Sequence, residues 1–269
     1  MVHRFALLAI AAAILALPAT SGAKPAKKHL LVVSYAAGFA HSSRATGEQV
    51  LAELGEKSGI FDVAYCRTAE DVKTMLTPEG LSKFDGVFFD NTTGNLGIPD
   101  LHAFLDWIKA GHAFFGVHSA TDTYHPRDIN GDTSYVDMIG AEFKTHGAQA
   151  EVDAIVNDPK HPAVKDLVPD WKVRDEIYEW IQNPRPNVHV LLSLTRHPND
   201  GHPQAGQPED HPLAWCNMYG KGRVFYTAFG HREDVWENPI FQKHLLGGIK
   251  WGFGLAKGSA VPNNPAPKE

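Results

Sequence analysis

Three uninterrupted apolar runs constrain the fold of this chain more than any other feature. They are His29-Leu30-Leu31-Val32-Val33-Ser34-Tyr35, Asp85-Gly86-Val87-Phe88-Phe89-Asp90 and Ala113-Phe114-Phe115. Each has strand length and lacks the alternating polar face of a half-exposed strand. Such strands are covered on both faces, as in parallel sheets flanked by helices. Phe61–Cys66 reads as a further strand. Between the runs lie helical stretches. One carries Val50, Leu51 and Leu54 on one face, is capped by Ser42 or Ser43 and stops near Gly59. Thr77-Pro78-Glu79 starts a short one. A third has Pro99 at its first position, Ile98, Leu101, Leu105 and Ile108 on its apolar face, and Gly111 at its end. Strand, helix, strand, helix, strand in this order predicts an α/β fold around a mainly parallel sheet.

Beyond Tyr124 the pattern loosens. Tyr135–Phe143 reads as a short helix, and 150–156, 172–180 and 188–195 as strands. Residues 197–211 form a loop rich in Pro, Gly and His. Leu213–Tyr219 and Arg223–Phe229 flank Gly220-Lys221-Gly222, a hairpin signal. The last helix starts at Asn238-Pro239 and turns Phe241, Leu245, Leu246 and Ile249 towards the sheet. No repeat or linker divides the chain. The expectation is a polar leader at 24–29, a single domain over 30–257 and a flexible tail at 258–269.

Residues 1–23 are set apart. His3 and Arg4 precede an apolar run from Phe5 to Leu17, and Ser21-Gly22-Ala23 supplies small residues at a cleavage site. The run falls short of the roughly 20 residues a spanning helix needs. A secretory signal peptide cleaved after Ala23 is expected, with an uncleaved anchor as the alternative. The mature protein is then periplasmic or secreted and free of the membrane. The formal charge is −6, and the only basic cluster is Lys24–Lys28. Nucleic-acid binding therefore lacks an electrostatic footprint. Cys66 and Cys216 sit in strand-like runs and are expected to be unpaired thiols. The sequence leaves a homo-oligomer open.

Chemistry concentrates where strands end. Gly116-Val117-His118-Ser119-Ala120-Thr121-Asp122 has the Gly-x-His-x-Ala shape of a nucleophile elbow, in which small residues flank one exposed functional side chain. An imidazole there ligates a metal or moves a proton, but is a poor hydrolytic nucleophile. An ordinary strand end with a hydrogen-bonded histidine is the alternative. His41, His118 and His231 each end a strand run, and the chain has 15 histidines. In open α/β sheets the strand C-terminal edge forms the ligand crevice, so these three converge if their strands are neighbours. Three histidines with an open position make a catalytic site for a divalent metal such as zinc. The other reading is three hydrogen-bonding or substrate-binding histidines with no metal. In Asp175-Glu176-Ile177-Tyr178, strand alternation puts Glu176 and Tyr178 on one face, and Glu176 is the expected carboxylate partner. Asp122, Tyr124 and His125 follow the elbow and can hydrogen-bond a sugar. His161, before Pro162, reads as structural. No Gly-x-Gly-x-x-Gly follows the first strand, so no nucleotide cofactor is expected.

Taken together, these stretches resemble the ThuA-like, or trehalose-utilisation, family over about Leu30 to Gly254. The resemblance is carried by Gly38-Phe39-Ala40-His41-Ser42, the elbow, His146-Gly147, His161-Pro162, Asp175-Glu176-Ile177-Tyr178, Pro212-Leu213-Ala214-Trp215 and Gly220-Lys221-Gly222-Arg223-Val224-Phe225-Tyr226 running to Gly230-His231. It implies a flavodoxin-like, three-layer sandwich similar to class I glutamine amidotransferases, with additional antiparallel strands. His118 stands where those enzymes carry cysteine. The family often has Arg before the first-motif histidine; here Ala40 stands there. The resemblance implies a small carbohydrate as ligand, in particular sugars oxidised at the 3-position, handled by isomerisation, elimination or hydrolysis. On this reading His118, Glu176 and His231 are catalytic, while Phe39, His41, Ser119, Asp122, Tyr124, His146 and Tyr178 bind substrate. A non-catalytic carbohydrate-binding or accessory domain is the alternative, and an inactive amidase relic a third.

Overall fold

The computed structural model describes residues 26–167, 171–198 and 209–263. The expected signal peptide and most of the expected 197–211 loop lie outside the described residues. The elements are β1 (Lys28–Val33), α1 (Arg44–Ser58), β2 (Phe61–Cys66), α2 (Ala69–Met75), α3 (Pro78–Leu81), β3 (Gly86–Asp90), α4 (Leu101–Lys109), β4 (Ala113–Val117), α5 (Ser134–Ile139), β5 (Phe143–His146), β6 (Ala150–Asp153) and β7 (Ile155–Val156). They continue as β8 (Lys172–Asp175), β9 (Tyr178–Trp180), β10 (His189–Arg196), β11 (Glu209–Tyr219), β12 (Gly222–Thr227), α6 (Glu233–Glu237) and α7 (Pro239–Gly252).

The central sheet runs β2-β1-β3-β4-β12-β11-β10-β7. The strands from β2 to β12 are parallel, and β11, β10 and β7 add antiparallel pairs. Two small antiparallel pairs, β5-β9 and β6-β8, stand outside it. Helices cover both faces. On one face Phe88 of β3 lies 6.3 Å from the Trp236 ring of α6; on the other, Phe89 stacks 5.7 Å from Phe104 of α4. Consecutive β3 residues thus bury aromatic rings in opposite directions, which explains the run without polar alternation. Phe241, Leu245 and Ile249 of α7 are fully buried, whereas Leu246 is only partly so. Both cysteines are buried and free.

Several local expectations need correction. Asp100, not Pro99, sets the start of α4: its carboxylate accepts from the Ala103 N–H, so the helix begins at Leu101. Ser43 flanks α1 but does not cap it; its hydroxyl donates to the Gly230 carbonyl 187 positions away. The expected helix over 135–143 stops at Ile139, because Gly140 adopts φ +100°, and Phe143 opens β5. The single strand expected over 172–180 is two strands with different partners: β8 pairs with β6, and β9 with β5. Likewise 150–156 divides into β6 and β7, and the last sheet strand ends at Thr227, not Phe229. The start of the expected tail is hydrogen-bonded to β10. His189 Nδ1 donates to the Val261 carbonyl at 2.6 Å, and the Asn263 amide exchanges two hydrogen bonds with the Val190 backbone.

The core holds histidines that burial keeps neutral at neutral pH. Burial pushes His244 down to about 4, opposed by its bond to the Ala163 carbonyl. Burial and the neighbouring His189 push His161 down to about 4 as well. Folded-state values below the unfolded one mean that, as pH falls from about 6.5 to about 4, the unfolded chain takes up protons that the folded chain refuses. Stability should therefore fall in that window by up to about 1.4 kcal/mol per histidine per pH unit. His244→Gln, which cannot ionise, should show a smaller loss than wild type between pH 7 and pH 4.5 in chemical denaturation. Equal losses would contradict this account.

Candidate functional site

The site is built at the C-terminal edge of the parallel strands. β4 ends in Val117, and His118 follows at φ +45°, a left-handed conformation that costs a residue with a Cβ. Two contacts hold this turn. The Tyr226 hydroxyl donates to the His118 carbonyl at 2.6 Å, and the Thr121 hydroxyl donates to the same oxygen at 3.2 Å. Gly116 leaves tight room one step earlier, where a Cβ would sit 3.0 Å from that of Ala120. The His118 Nδ1–H donates to the Ala228 carbonyl at 2.9 Å, so Nε2 presents a lone pair to the site.

His231 is placed by Gly230, which adopts φ +116°. The Gly230 N–H donates to Asp175 Oδ2 at 2.7 Å, and its carbonyl accepts from Ser43, Asn91 and Trp236. Asp175 Oδ1 accepts from the Glu176 N–H at 2.9 Å. One buried carboxylate thus fixes the backbone beside both His231 and Glu176. His41 arrives differently from the expectation, because β1 and β4 are not neighbours: β3 lies between them. The segment after β1 crosses over the end of β3, where the Ala37 and Gly38 N–H groups donate to the Thr93 carbonyl. His41 Nδ1 lies 3.4 Å from the Ser119 hydroxyl.

The three imidazoles meet with ring centroids 5.0, 5.0 and 5.1 Å apart and planes close to mutually perpendicular. One ligand atom from each of His41, His118, Glu176 and His231 lies within 4.8 Å of the others. Glu176 Oε2 is 3.4 Å from His118 Nε2 and 3.2 Å from His231 Nδ1, and those two nitrogens are 3.2 Å apart. Ligands about 2.0–2.1 Å from a tetrahedral zinc are about 3.3 Å from one another, so the spacings among His118, His231 and Glu176 fit such an ion, and His41, within 4.8 Å of them, would close in to complete it. The donor set fits as well. A carboxylate and an imidazole lone pair converge on one point, and only a proton on His231 or a cation balances them.

The electrostatics follow from this crowding. Burial, with His118 and His231 beside it, pushes His41 down to about 3 and keeps it neutral. Burial alone would raise Glu176, but the imidazoles of His118 and His231 beside it hold it well below the usual carboxylate range. Burial would lower His231, yet the bond to Glu176 keeps it above the ordinary histidine value. Burial raises Asp175, opposed by His118 and the Gly230 N–H.

A cavity of about 220 Å³ opens beside the cluster. Of the expected site residues, Phe39, His41, Asp122, His146, Glu176, Tyr178 and His231 line it. His118 and Ser119 lie behind the wall, fully buried. Tyr124 does not reach it. Its φ of +54° turns the ring into the core against Tyr135, where its hydroxyl accepts from the Ile98 N–H. Phe143 lines the cavity but had been read as the end of a helix, which hid its strand orientation.

A family model described as "ThuA: Trehalose utilisation" matches residues 29–252. The chain belongs to the ThuA family. No curated protein matches it in sequence. Among solved structures it is similar to a ThuA-like protein from Parabacteroides merdae, at 20% identity and a TM-score of 0.69, covering 90% of this chain and 95% of that one. A ThuA-like protein from Bacteroides uniformis gives 20% identity and a TM-score of 0.64, covering 88% and 95%. A β-galactosidase from Bacillus circulans gives 13% and 0.51, covering 89% of this chain and 32% of that one. At such identities these likenesses speak for the fold alone. ThuA membership ties the chain to carbohydrate metabolism, and its mixed sheet of parallel strands with added antiparallel ones matches the ThuA-like neighbours.

If the cluster of this ThuA protein holds a metal, His118→Ala and Glu176→Gln should each weaken zinc binding more than about a hundredfold, given that even outer-shell changes cost 10–100-fold. Both variants should keep the wild-type circular dichroism spectrum. Zinc affinity by competition with a chromogenic chelator checks this, and wild-type affinity in both would contradict it.

Proposed function

We propose that this ThuA-family chain is an exported enzyme acting on a 3-keto sugar or keto-glycoside, with a divalent metal such as zinc held by His41, His118, His231 and Glu176. The observation that carries the reading is the convergence of three imidazoles and a carboxylate beside a small cavity, with His41, His231 and Glu176 on its wall and His118 behind it. A bound divalent ion supplies Lewis acidity towards a carbonyl or enediolate oxygen. The chain's own residues do the rest. The cavity lies below the roughly 300–1,000 Å³ of pockets for drug-sized ligands, which favours one sugar unit. Phe39, 68% exposed at the rim and 4.8 Å edge-on to His41, offers an apolar surface for a sugar ring. His146 Nδ1 lies 3.2 Å from Glu176 Oε1, on the cavity wall, placed to meet a hydroxyl. Tyr178, centred 4.0 Å from the His118 ring, packs the imidazole in place.

A 3-keto sugar has acidic protons beside its carbonyl, so proton loss there starts either isomerisation or β-elimination. Incubation of the zinc-loaded mature protein with methyl 3-keto-glucoside, followed by NMR, should show a product that chelation and His118→Ala abolish. Neither turnover nor binding by wild type would overturn the reading. Binding without turnover would favour the carbohydrate-binding alternative. The export half rests on the apolar run and small residues of 1–23. Intact mass of protein from outside the cytoplasm should place the N-terminus at Lys24, and retention of residues 1–23 would refute it.

A further inference from the structure

With Glu176 committed to three histidines, the site lacks an obvious proton acceptor. Glu176 Oε2 faces His118 and His231, and Oε1 faces His146. Asp122 is the other carboxylate on the cavity wall. Its Oδ1 accepts from His125 Nε2–H at 2.6 Å, and Oδ2 has no hydrogen-bond partner among the described residues. The Asp122 side chain is 26% exposed, open enough to meet a ligand.

Asp122 is also held in place. Its carbonyl accepts from the Gly94 N–H at 2.8 Å, the Tyr124 N–H donates to the Gly94 carbonyl, and the hydroxyls of Thr92 and Thr123 meet at 2.8 Å. Behind it, the His125 side chain is only 3% exposed, and its other nitrogen, Nδ1, faces Glu142 Oε1 at 2.7 Å. Both ring nitrogens of His125 therefore face carboxylates and both donate, which makes the ring a cation clamped between two anions. Burial would lower the His125 pKa, but the bonds to Asp122 and Glu142 raise it; Arg127 opposes them. Glu142 sits on the wall of a separate cavity of about 440 Å³ and not on that of the site.

We infer that Asp122 is the proton-transfer carboxylate of this site and that His125 and Glu142 are its positioning pair. The inference rests on the keto-sugar reading above. Asp122 Oδ2 takes the proton from the carbon beside the carbonyl. The C–H electron pair forms the C=C bond of an enediolate, and the carbonyl π pair moves onto oxygen. In β-elimination the enediolate then expels its leaving oxygen, which takes the proton back from Asp122. In exchange without elimination, Asp122 returns a proton to the same carbon. His125 keeps both of its protons throughout. It holds Oδ1, so that Oδ2 points to the substrate. A buried cation clamped in this way costs desolvation that the two carboxylates offset, and a purely structural pair would not need its second oxygen open to a cavity.

The test follows deuterium incorporation beside the carbonyl of methyl 3-keto-glucoside in D2O by proton NMR, using zinc-loaded protein. Asp122→Asn should slow exchange by about 10²–10⁴-fold, the usual contribution of a general base, with zinc content and KM within about twofold of wild type. Asp122→Glu, which returns a carboxylate, should recover part of the loss. Glu142→Gln should lower kcat several-fold with KM and zinc content unchanged, a split that loss of fold would not produce. Exchange by Asp122→Asn within about threefold of wild type would overturn the proposal while leaving the keto-sugar reading intact. A Glu142→Gln variant that changes KM or zinc content with kcat unaltered would overturn the positioning role. A silent wild type would instead sink the functional reading itself.

Discussion

The site depends on the hydrogen bonding of the His118 carbonyl, above all by the Tyr226 hydroxyl. His118 has a left-handed backbone that no residue with a Cβ adopts without cost, and this bond, 2.6 Å long and fully buried, is the shorter of the two, with that from Thr121, that hold it there. The donor belongs to β12 and the acceptor to the end of β4, which are parallel neighbours in register from Arg223/Ala113 to Thr227/Val117. Sheet pairing therefore sets the elbow, and the elbow sets the direction of the imidazole. The same two strands supply the acceptor that orients the ring, since His118 Nδ1 donates to Ala228, the residue after β12.

A second buried group links the remaining pieces. Asp175 touches neither the cavity nor another side chain by a hydrogen bond, yet it ties the backbone of Gly230, beside His231, to that of Glu176. The break between β8 and β9 is what makes this geometry available. An unbroken strand would send Asp175 and Glu176 to opposite faces, whereas all four residues from Asp175 to Tyr178 are buried. The candidate metal ligands thus come from the segment after β1, the elbow, this break and the end of β12. A metal bound there joins segments far apart in sequence, and no local motif announces it.

This explains what was legible in the sequence. The parallel half of the sheet could be read from β1, β3 and β4, because strands covered on both faces carry unbroken apolar runs. His41, His118 and His231 could be picked out because each follows a strand end, where α/β folds place ligands. The β8–β9 break could not be read: with every residue from Asp175 to Tyr178 buried, no period of two distinguishes a strand from a bend. Tyr124 looked like a cavity residue by position, but a positive φ turned it into the core. β5 stayed hidden because apolar residues from Tyr135 to Phe143 mimic a helical face until Gly140 ends it. The clamp on His125 joins residues 122, 125 and 142, and only the folding of α5 and β5 brings Glu142 to it.

The central claim is that the three imidazoles and Glu176 form one cation site. Anomalous diffraction at the zinc edge, from crystals grown with one equivalent of zinc, tests it most directly. The account predicts a single strong peak about 2.0–2.1 Å from a nitrogen of each of His41, His118 and His231 and from one Glu176 oxygen. A peak elsewhere on the protein, or no peak among these four side chains, would contradict it.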